Sequence, residues 1–145
     1  MRAAALRALQ QLGIAAVLFV LLDLVWLSLV ADGLYARLLG DLLADQPNTA
    51  AAAAFYALFL LGLVYFAIGP AVARDSIALA ARSGALFGLV TYATWDLTSL
   101  AVLEGFPAAL VPIDLAWGTF LASAVSTGTV AVCRALTRRR RPARP

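Results

Sequence analysis

Four stretches of the chain are apolar for long enough to cross a bilayer, and the polar residues cluster between them. The stretches lie at about residues 12–31, 49–71, 83–103 and 108–133. Each reaches the roughly 20 residues that a helix needs to span the hydrocarbon core. The pattern predicts an all-α membrane protein. Residues 1–137 are expected to form a four-transmembrane-helix bundle and residues 138–145 a basic cytoplasmic tail.

Helix-breaking residues mark the connections between the apolar stretches. The first connection, residues 32–48, leads into a Pro-Asn-Thr turn at residues 47–49 that reads as a helix N-cap. The third is a tight Glu-Gly-Phe-Pro turn at residues 104–107. Its glycine and proline stop one helix before the next begins. The connections are therefore short, and little of the chain is left for a domain outside the membrane.

The arginines are distributed unequally between the two sides of the predicted bundle. Only Arg37 lies in the first connection. The other ten are Arg2, Arg7, Arg74, Arg82, Arg134, Arg138, Arg139, Arg140, Arg141 and Arg144. Positively charged residues are retained on the cytoplasmic side of a membrane. The distribution therefore predicts that both termini are cytoplasmic.

Each end of the chain allows a second interpretation. Arg2 and Arg7 precede an apolar run that ends near Ala31, as in a cleaved signal peptide. That run is long, however, and it contains Asp23 and Trp26. The basic tail could bind anionic lipid headgroups or nucleic acid, but no aromatic residue interleaves its arginines for base stacking. We favour the interpretation that the tail only fixes the orientation of the chain in the membrane. No nucleic acid is expected as a partner.

Composition supports the membrane assignment and excludes several kinds of chemistry. The 145 residues are 63% hydrophobic and 13% charged, with a mean hydropathy of +0.92. A lipid bilayer is therefore the expected partner of most of the surface. Cys133 is the single cysteine and the chain has no histidine, which excludes an internal disulfide and the common zinc and haem ligand sets. No cofactor or metal is expected.

Three aspartates interrupt the apolar stretches, and they are the strongest indication of function. Asp23, Asp96 and Asp114 each cost on the order of 2.5–3.5 kcal/mol at membrane depth, so a carboxylate there usually faces a partner, a cavity or a ligand. At 1.5 Å per residue, Asp23 and Asp96 lie roughly 16 and 20 Å from the cytoplasmic ends of their helices. Asp114 lies about 6–9 Å below the outer surface. The three are therefore expected to share one cavity open to the outer face.

Aromatic residues accompany each aspartate on its helical face. Trp26 and Trp117 follow Asp23 and Asp114 by three residues, and Tyr92 precedes Asp96 by four. The candidate ligand-binding or proton-relay residues are Asp23, Trp26, Tyr92, Trp95, Asp96, Asp114 and Trp117. Carboxylates among aromatic faces suit a cationic or hydrogen-bonding organic ligand. The alternative is structural, because aromatic residues gather at membrane interfaces and protonated aspartates can hold helices together.

Charge balance suggests that the site exchanges protons. Arg37 is the only candidate counter-ion on the outer side, and three carboxylates cannot all stay ionised in a low-dielectric site without cations. At least one aspartate is expected to be protonated near neutral pH, which would couple ligand binding to proton uptake or release. A hard cation held by carboxylate oxygens is less favoured, because the sequence contains no recognisable loop of ligands.

Two further patterns concern packing and symmetry. Gly84 and Gly88 form a Gly-x-x-x-Gly pair that permits close helix contact. The contact could lie within the chain or between subunits, and we favour the first. Residues 22–26 (LDLVW) resemble residues 113–117 (IDLAW). A second matching pair, ALF at residues 57–59 and at 85–87, lies between the first two segments. The order is therefore mirrored rather than tandem and favours an inverted-repeat transporter only slightly.

Four segments together resemble a known family. They are DLVWL at residues 23–27, GLVYFA at 62–67, GALFGLVTYATWDLT at 84–98 and DLAWGT at 114–119. They resemble the bacterial predicted membrane proteins of family DUF2177, although Trp95 stands where tyrosine is expected in many members. The resemblance covers nearly all of the chain before the basic tail. It implies a small, multi-pass, four-helix protein of the bacterial inner membrane, and it implies no particular activity.

Three classes of function remain open. The favoured class is small-ligand or proton-coupled binding and transport, which would need a homo-oligomer because four helices are few for a transport path. The alternative is an accessory subunit that packs against a larger membrane complex through the glycine pair. An intramembrane lipid-modifying enzyme with an aspartate as general acid or base is less favoured, because no serine, cysteine or histidine nucleophile arrangement is present.

Overall fold

The computed structural model describes residues 2–139, and within that range the chain is helical with no β-strand. The helices are α1 (Arg2–Trp26), α2 (Asp32–Leu39), α3 (Thr49–Leu63), α4 (Gly69–Ala73), α5 (Ile77–Val102) and α6 (Leu110–Arg139). Four helical segments are long and apolar enough to cross a membrane: Ala4–Val30, Thr49–Ala73, Ile77–Val102 and Leu110–Arg139. The prediction of an all-α bundle with four transmembrane helices is confirmed. Tail residues 140–145 lie outside the described residues.

Two wider, π-helical turns extend the first and second spans. Leu27–Ala31 connects α1 to α2, and Val64–Ile68 connects α3 to α4. The second turn precedes Pro70, which lacks an N–H and whose ring would clash with a carbonyl in the preceding turn of a regular helix. Widening of the preceding turn accommodates the proline without ending the span. The predicted second stretch is therefore one membrane-length segment built from two helices.

Capping residues determine where the helices begin. Asn48 accepts a hydrogen bond from the Ala51 N–H at 3.0 Å, as the turn at residues 47–49 predicted. The side chain of Ser76 accepts one from the Leu79 N–H at 3.1 Å, and α5 therefore begins at Ile77, earlier than the predicted start near residue 83. Between α5 and α6, Gly105 has a φ of +80°, a left-handed conformation that glycine adopts without strain.

The closest helix pair is α5 with α6, which pack almost backbone to backbone. A Cβ at Gly84 would lie 2.6 Å from the Ala122 carbonyl oxygen, and one at Gly88 would lie 2.8 Å from the Ala122 Cβ. Both distances are too short for a side chain, so the glycines allow an approach that no other residue permits. The Gly-x-x-x-Gly pair is thus used inside the chain.

The remaining core is apolar and joins α1, the α3–α4 span and α6. Phe19 of α1, Phe59 and Leu63 of α3, and Leu121 and Val125 of α6 are buried together. Large apolar side chains elsewhere are exposed, with Leu29, Tyr65 and Val102 at 70% or more. Such a surface fits lipid as the solvent.

Helix α2 covers one end of the bundle, in a region where the sequence analysis assigned only a loop. Leu34, Tyr35, Leu38 and Leu39 of α2 pack against Phe106, Leu110 and Val111. We call this end, formed by α2 and residues 103–109, the loop end. We call the opposite end, where α1 begins, α6 ends and α4 turns into α5, the terminal end.

Candidate functional site

Asp114 is buried near the loop end and is held by a tyrosine from α2. It lies in the second turn of α6, and the Tyr35 hydroxyl donates a hydrogen bond to its Oδ1 at 2.8 Å. Burial raises the pKa of the Tyr35 phenol above its ordinary value, and the Asp114 carboxylate raises it further. The phenol therefore stays protonated and donates to Asp114 at any physiological pH.

Asp23 is held in a similar way by a tyrosine from α3. The Tyr56 hydroxyl donates a hydrogen bond to Asp23 Oδ2 at 3.0 Å. The indole of Trp117 lies beside the same carboxylate. Asp114 on α6 and Asp23 on α1 thus each accept a hydrogen bond from a tyrosine of another helix. That helix is α2 for Asp114 and α3 for Asp23.

The two tryptophans of the matching DLVW and DLAW segments stack on each other. The ring centroids of Trp26 and Trp117 are 4.4 Å apart and their planes differ by 8°. Since α1 and α6 run in opposite directions, the three-residue step from aspartate to tryptophan points toward the loop end on α1 and toward the terminal end on α6. Trp117 therefore reaches Asp23, while Trp26 lies near Tyr35, the partner of Asp114.

Asp96 differs from the other two aspartates because no group in the described part of the chain donates a hydrogen bond to its carboxylate. Its side chain is 0% exposed, and among the described residues neither carboxylate oxygen has a hydrogen-bond partner. Asp114 and Tyr35 lie within electrostatic range. The nearby Trp26 Nε1 is likewise buried without a hydrogen bond in the part of the chain that the structure describes. An acceptor and a donor are thus both unsatisfied in one buried region.

Arg37, the predicted counter-ion, does not neutralise the aspartates. Its side chain is exposed, and its Nε donates to the Gly33 carbonyl of its own helix at 2.9 Å. Within residues 2–139 the recorded ion pair is Arg134 with Asp75, at the terminal end. Within residues 2–139, the three buried aspartates therefore lie near tyrosines and tryptophans, and no cation pairs with them.

Tyr92 occupies the centre of this arrangement. It lies within electrostatic range of Asp23, Asp114 and both partner tyrosines. Its ring fits against α6 only because residue 118 is glycine, where any Cβ would overlap the ring atoms. We refer to Asp23, Asp96 and Asp114 with Tyr35, Tyr56 and Tyr92 as the carboxylate cluster.

An open pocket of about 490 Å³ at the loop end reaches the edge of the carboxylate cluster. Of the three aspartates expected to share one cavity, Asp114 lines this pocket, whereas Asp23 and Asp96 do not. Its lining comprises Tyr35, Leu39, Phe55, Thr91, Tyr92, Trp95, Phe106, Leu110 and Asp114. The volume suits a small organic molecule. Trp95 is 64% exposed and forms the rim of the pocket rather than a buried wall.

The structure brings most of the predicted site residues into one region, and it adds two that sequence reasoning missed. Trp95 is the outlier, because it faces outward. Tyr35 and Tyr56 were missed because one lies in a supposed loop and the other in an alanine-rich helix without an aspartate. The apolar spacing of Leu34 and Leu38 was a usable signal for α2. Among the described residues, no group of three or more His, Cys, Asp or Glu side chains is placed to hold a metal ion.

The fold and the site together define a multi-pass membrane protein with a buried cluster of carboxylates and tyrosines. The chain belongs to the DUF2177 family, described as "Predicted membrane protein", whose sequence profile matches residues 8–131. The matched range contains all the residues of the carboxylate cluster. No curated protein and no solved structure matches the chain.

Proposed function

We propose that the carboxylate cluster binds a small organic cation and exchanges it for a proton, as part of a binding or transport function. The observation that carries the proposal is Asp96, which is fully buried and whose two oxygens have no hydrogen-bond partner among the residues that the structure describes. A buried carboxylate without a hydrogen bond is strongly unfavourable, and either a proton or a cationic ligand relieves the cost. Alternation between these two states is the elementary step of a proton-coupled binding site.

The division of hydrogen bonds among the aspartates supports a specific role for each. Asp114 and Asp23 already accept from Tyr35 and Tyr56. Asp96 has acceptor capacity left for an ammonium or guanidinium group. Asp114 lines the pocket and adds negative charge close to Asp96. A cation in the pocket is therefore attracted by both carboxylates and meets Asp114 first. Asp96 does not line the pocket, so in this proposal the cation passes beyond the pocket lining before it donates a hydrogen bond to Asp96.

Aromatic side chains in the pocket favour an organic cation over a simple inorganic one. Tyr92, Phe55 and Trp95 line the pocket, and aromatic faces attract cations with about 0.5–2 kcal/mol per contact. Because Trp95 lies on the rim and is exposed, it meets an entering ligand first. Entry takes place from the loop end, beside α2.

The orientation and the assembly complete the proposal. The loop end faces the outside of the bacterial inner membrane and both termini are cytoplasmic, as the positions of the arginines favour. Transport by this chain requires a homo-oligomer, because four helices leave little room for a complete path. In such an assembly each subunit contributes one carboxylate cluster.

The packing of α5 against α6 weakens the accessory-subunit alternative. Its expected contact surface was the Gly84 and Gly88 face. Those glycines pack against Ala122 of the same chain, so they do not offer that face to a partner. The lipid-modifying enzyme gains no serine, cysteine or histidine nucleophile from the described pocket. The aliphatic hydroxyl in the lining, that of Thr91, donates to the Phe87 carbonyl of its own helix.

The test compares the ligands retained by matched variants. Protein released gently from its own membrane is measured by native mass spectrometry as wild type, Asp96→Asn and Asp41→Asn. Asp41 is an exposed acid at the loop end, so its substitution makes the same charge change outside the pocket. We expect the wild type and Asp41→Asn to retain a small cation that Asp96→Asn loses. Equal retention by all three, or a co-purifying protein in place of a small molecule, contradicts the proposal.

A further inference from the structure

A second pocket, of about 470 Å³, opens at the terminal end, far from the carboxylate cluster. The turn between α4 and α5 forms one side and the last turns of α6 form the other. Val72 and Val130 contribute apolar lining, while Asp75, Arg134, Thr137 and Arg138 contribute polar lining. Neither the family assignment nor the proposed function gives this pocket a role.

The polarity of the pocket changes along α6. Val130 lies at the deep end and is buried, Arg134 follows one turn later, and Arg138 follows after another turn. At 1.5 Å per residue the distance from Val130 to Arg138 along the helix is about 12 Å. The pocket therefore has an apolar floor toward the membrane interior and a basic mouth toward the water.

The two arginines have different roles at the mouth. Arg134 bonds through Nε to the Asp75 carboxylate and through Nη2 to the Asp75 backbone oxygen. This contact holds Asp75 in a left-handed conformation with a φ of +45°, which Asp tolerates better than most residues. The Nε and Nη2 groups of Arg134 therefore already donate hydrogen bonds to Asp75 in the turn between α4 and α5. Arg138 has no ion pair within residues 2–139, so its charge is available to a ligand.

The geometry points to an anionic phospholipid as the occupant of this pocket. We propose that Arg138 and the remaining N–H groups of Arg134 bind the headgroup phosphate, and that an acyl chain lies along Val72 and Val130. Two arginines against one aspartate leave the mouth with an excess of positive charge. Basic pockets between transmembrane helices recognise anionic headgroups in this way. A soluble anion matches the mouth but has no use for the apolar floor.

The test uses the full chain in detergent with lipids added at equal concentration. Phosphatidylglycerol and phosphatidylcholine with identical acyl chains are compared by native mass spectrometry for wild type, Arg138→Gln, Arg138→Lys and Arg139→Gln. Arg139 carries the same charge one residue later but does not line the pocket. We expect the wild type to prefer phosphatidylglycerol. Arg138→Gln should retain it about fivefold less well, while Arg138→Lys and Arg139→Gln stay close to wild type.

Three outcomes would overturn the assignment. Equal retention of both lipids by the wild type means that headgroup charge is not recognised. An equal loss in Arg138→Gln and Arg139→Gln means that diffuse surface charge, not this pocket, attracts the lipid. Displacement of phosphatidylglycerol by excess inorganic phosphate assigns the mouth to a soluble anion. Arg138 lies in the exposed last turns of α6, so neither of its variants is expected to impair folding, and a melting curve checks this.

Discussion

The loop end and the terminal end of the bundle treat an acidic side chain in opposite ways. At the terminal end, Asp75 is 76% exposed and Arg134 is 29% exposed, and the two form an ion pair. At the loop end, Asp96 is fully buried and has neither a cation nor a hydrogen-bond donor among the described residues. Water alone could solvate Asp75, whereas Asp96 is cut off from water.

This contrast separates an acid that shapes the backbone from an acid that no described group holds. The Asp75 contact fixes a turn between two helices, and an exposed pair of this kind contributes little stability. Asp96 fixes nothing that the structure records, and its burial is costly. A costly group with no structural partner is the usual mark of a functional site in a membrane.

Helices α5 and α6 both run from the loop end to the terminal end, so disruption of the contact between them should have the largest effect. Gly88→Ala places a Cβ against the Gly118 backbone, and we expect a loss of about 1–3 kcal/mol or more. Gly13→Ala is the control, because nothing lies within 4 Å of its Cβ. Thermal unfolding in detergent measures both. Equal melting temperatures for the two variants would show that the helices do not pack so closely.

Asp96→Leu tests whether this aspartate serves structure or function. Leucine has the same number and branching of heavy atoms without the unpartnered oxygens, although its methyl groups are larger than oxygens. We expect the unliganded protein to gain at most about 1–3 kcal/mol. Ligand retention should be lost in the same variant. The measurement is thermal unfolding beside native mass spectrometry. Asp96→Asn, which adds no volume, is the control for overpacking. Destabilisation of both variants would favour the structural interpretation, in which the carboxyl group holds helices together.

Tyr35→Phe tests how α2 is fastened to the loop end. Removal of the hydroxyl takes the hydrogen bond from Asp114, at a cost of about 1–2 kcal/mol, and the apolar contacts of α2 remain. We expect faster amide exchange in Asp32–Leu39. Tyr56→Phe is the matched control, since it removes the equivalent bond to Asp23 without touching α2. Faster exchange of α2 in both variants would contradict a local role for Tyr35.

Asp75→Asn should have the smallest effect. Asparagine also tolerates a left-handed backbone, so the substitution removes the charge of the ion pair and leaves the turn. Because the aspartate is largely exposed, we expect a loss below about 1 kcal/mol. Chemical denaturation of the two proteins provides the comparison. A loss as large as that of Gly88→Ala would mean that the terminal end depends on this pair far more than its exposure suggests.

The spans were predictable because the energetic cause is local to the sequence. A run of about 20 apolar residues must leave water wherever it is placed, and a cap such as Asn48 or a break such as Gly105 acts on its own neighbours. The start of α5 was predicted too late because Arg82 interrupts the apolar run. The helix begins earlier, at the Ser76 cap, since a charge in the first turns of a helix can remain at the membrane surface.

The candidate site was predictable only in part. Asp23, Asp96 and Asp114 stand out against apolar surroundings, and the heights of the three along their helices follow from the rise per residue. The partners Tyr35 and Tyr56 do not stand out, because tyrosine is common at membrane interfaces. Which tyrosine meets which carboxylate depends on helix rotation and on the path of α2, neither of which has a local cause.

The sequence alone therefore determined that this protein has four membrane-length helices, three acids at membrane depth and glycines suited to close packing, because each of these follows from the chemistry of neighbouring residues. Only the tertiary structure decided that Asp114 and Asp23 are satisfied while Asp96 is not. It also decided that Trp26 and Trp117 stack between them. The physical reason is that a hydrogen bond or a ring contact between helices requires a specific rotation and distance, which are set by the packing of the whole bundle.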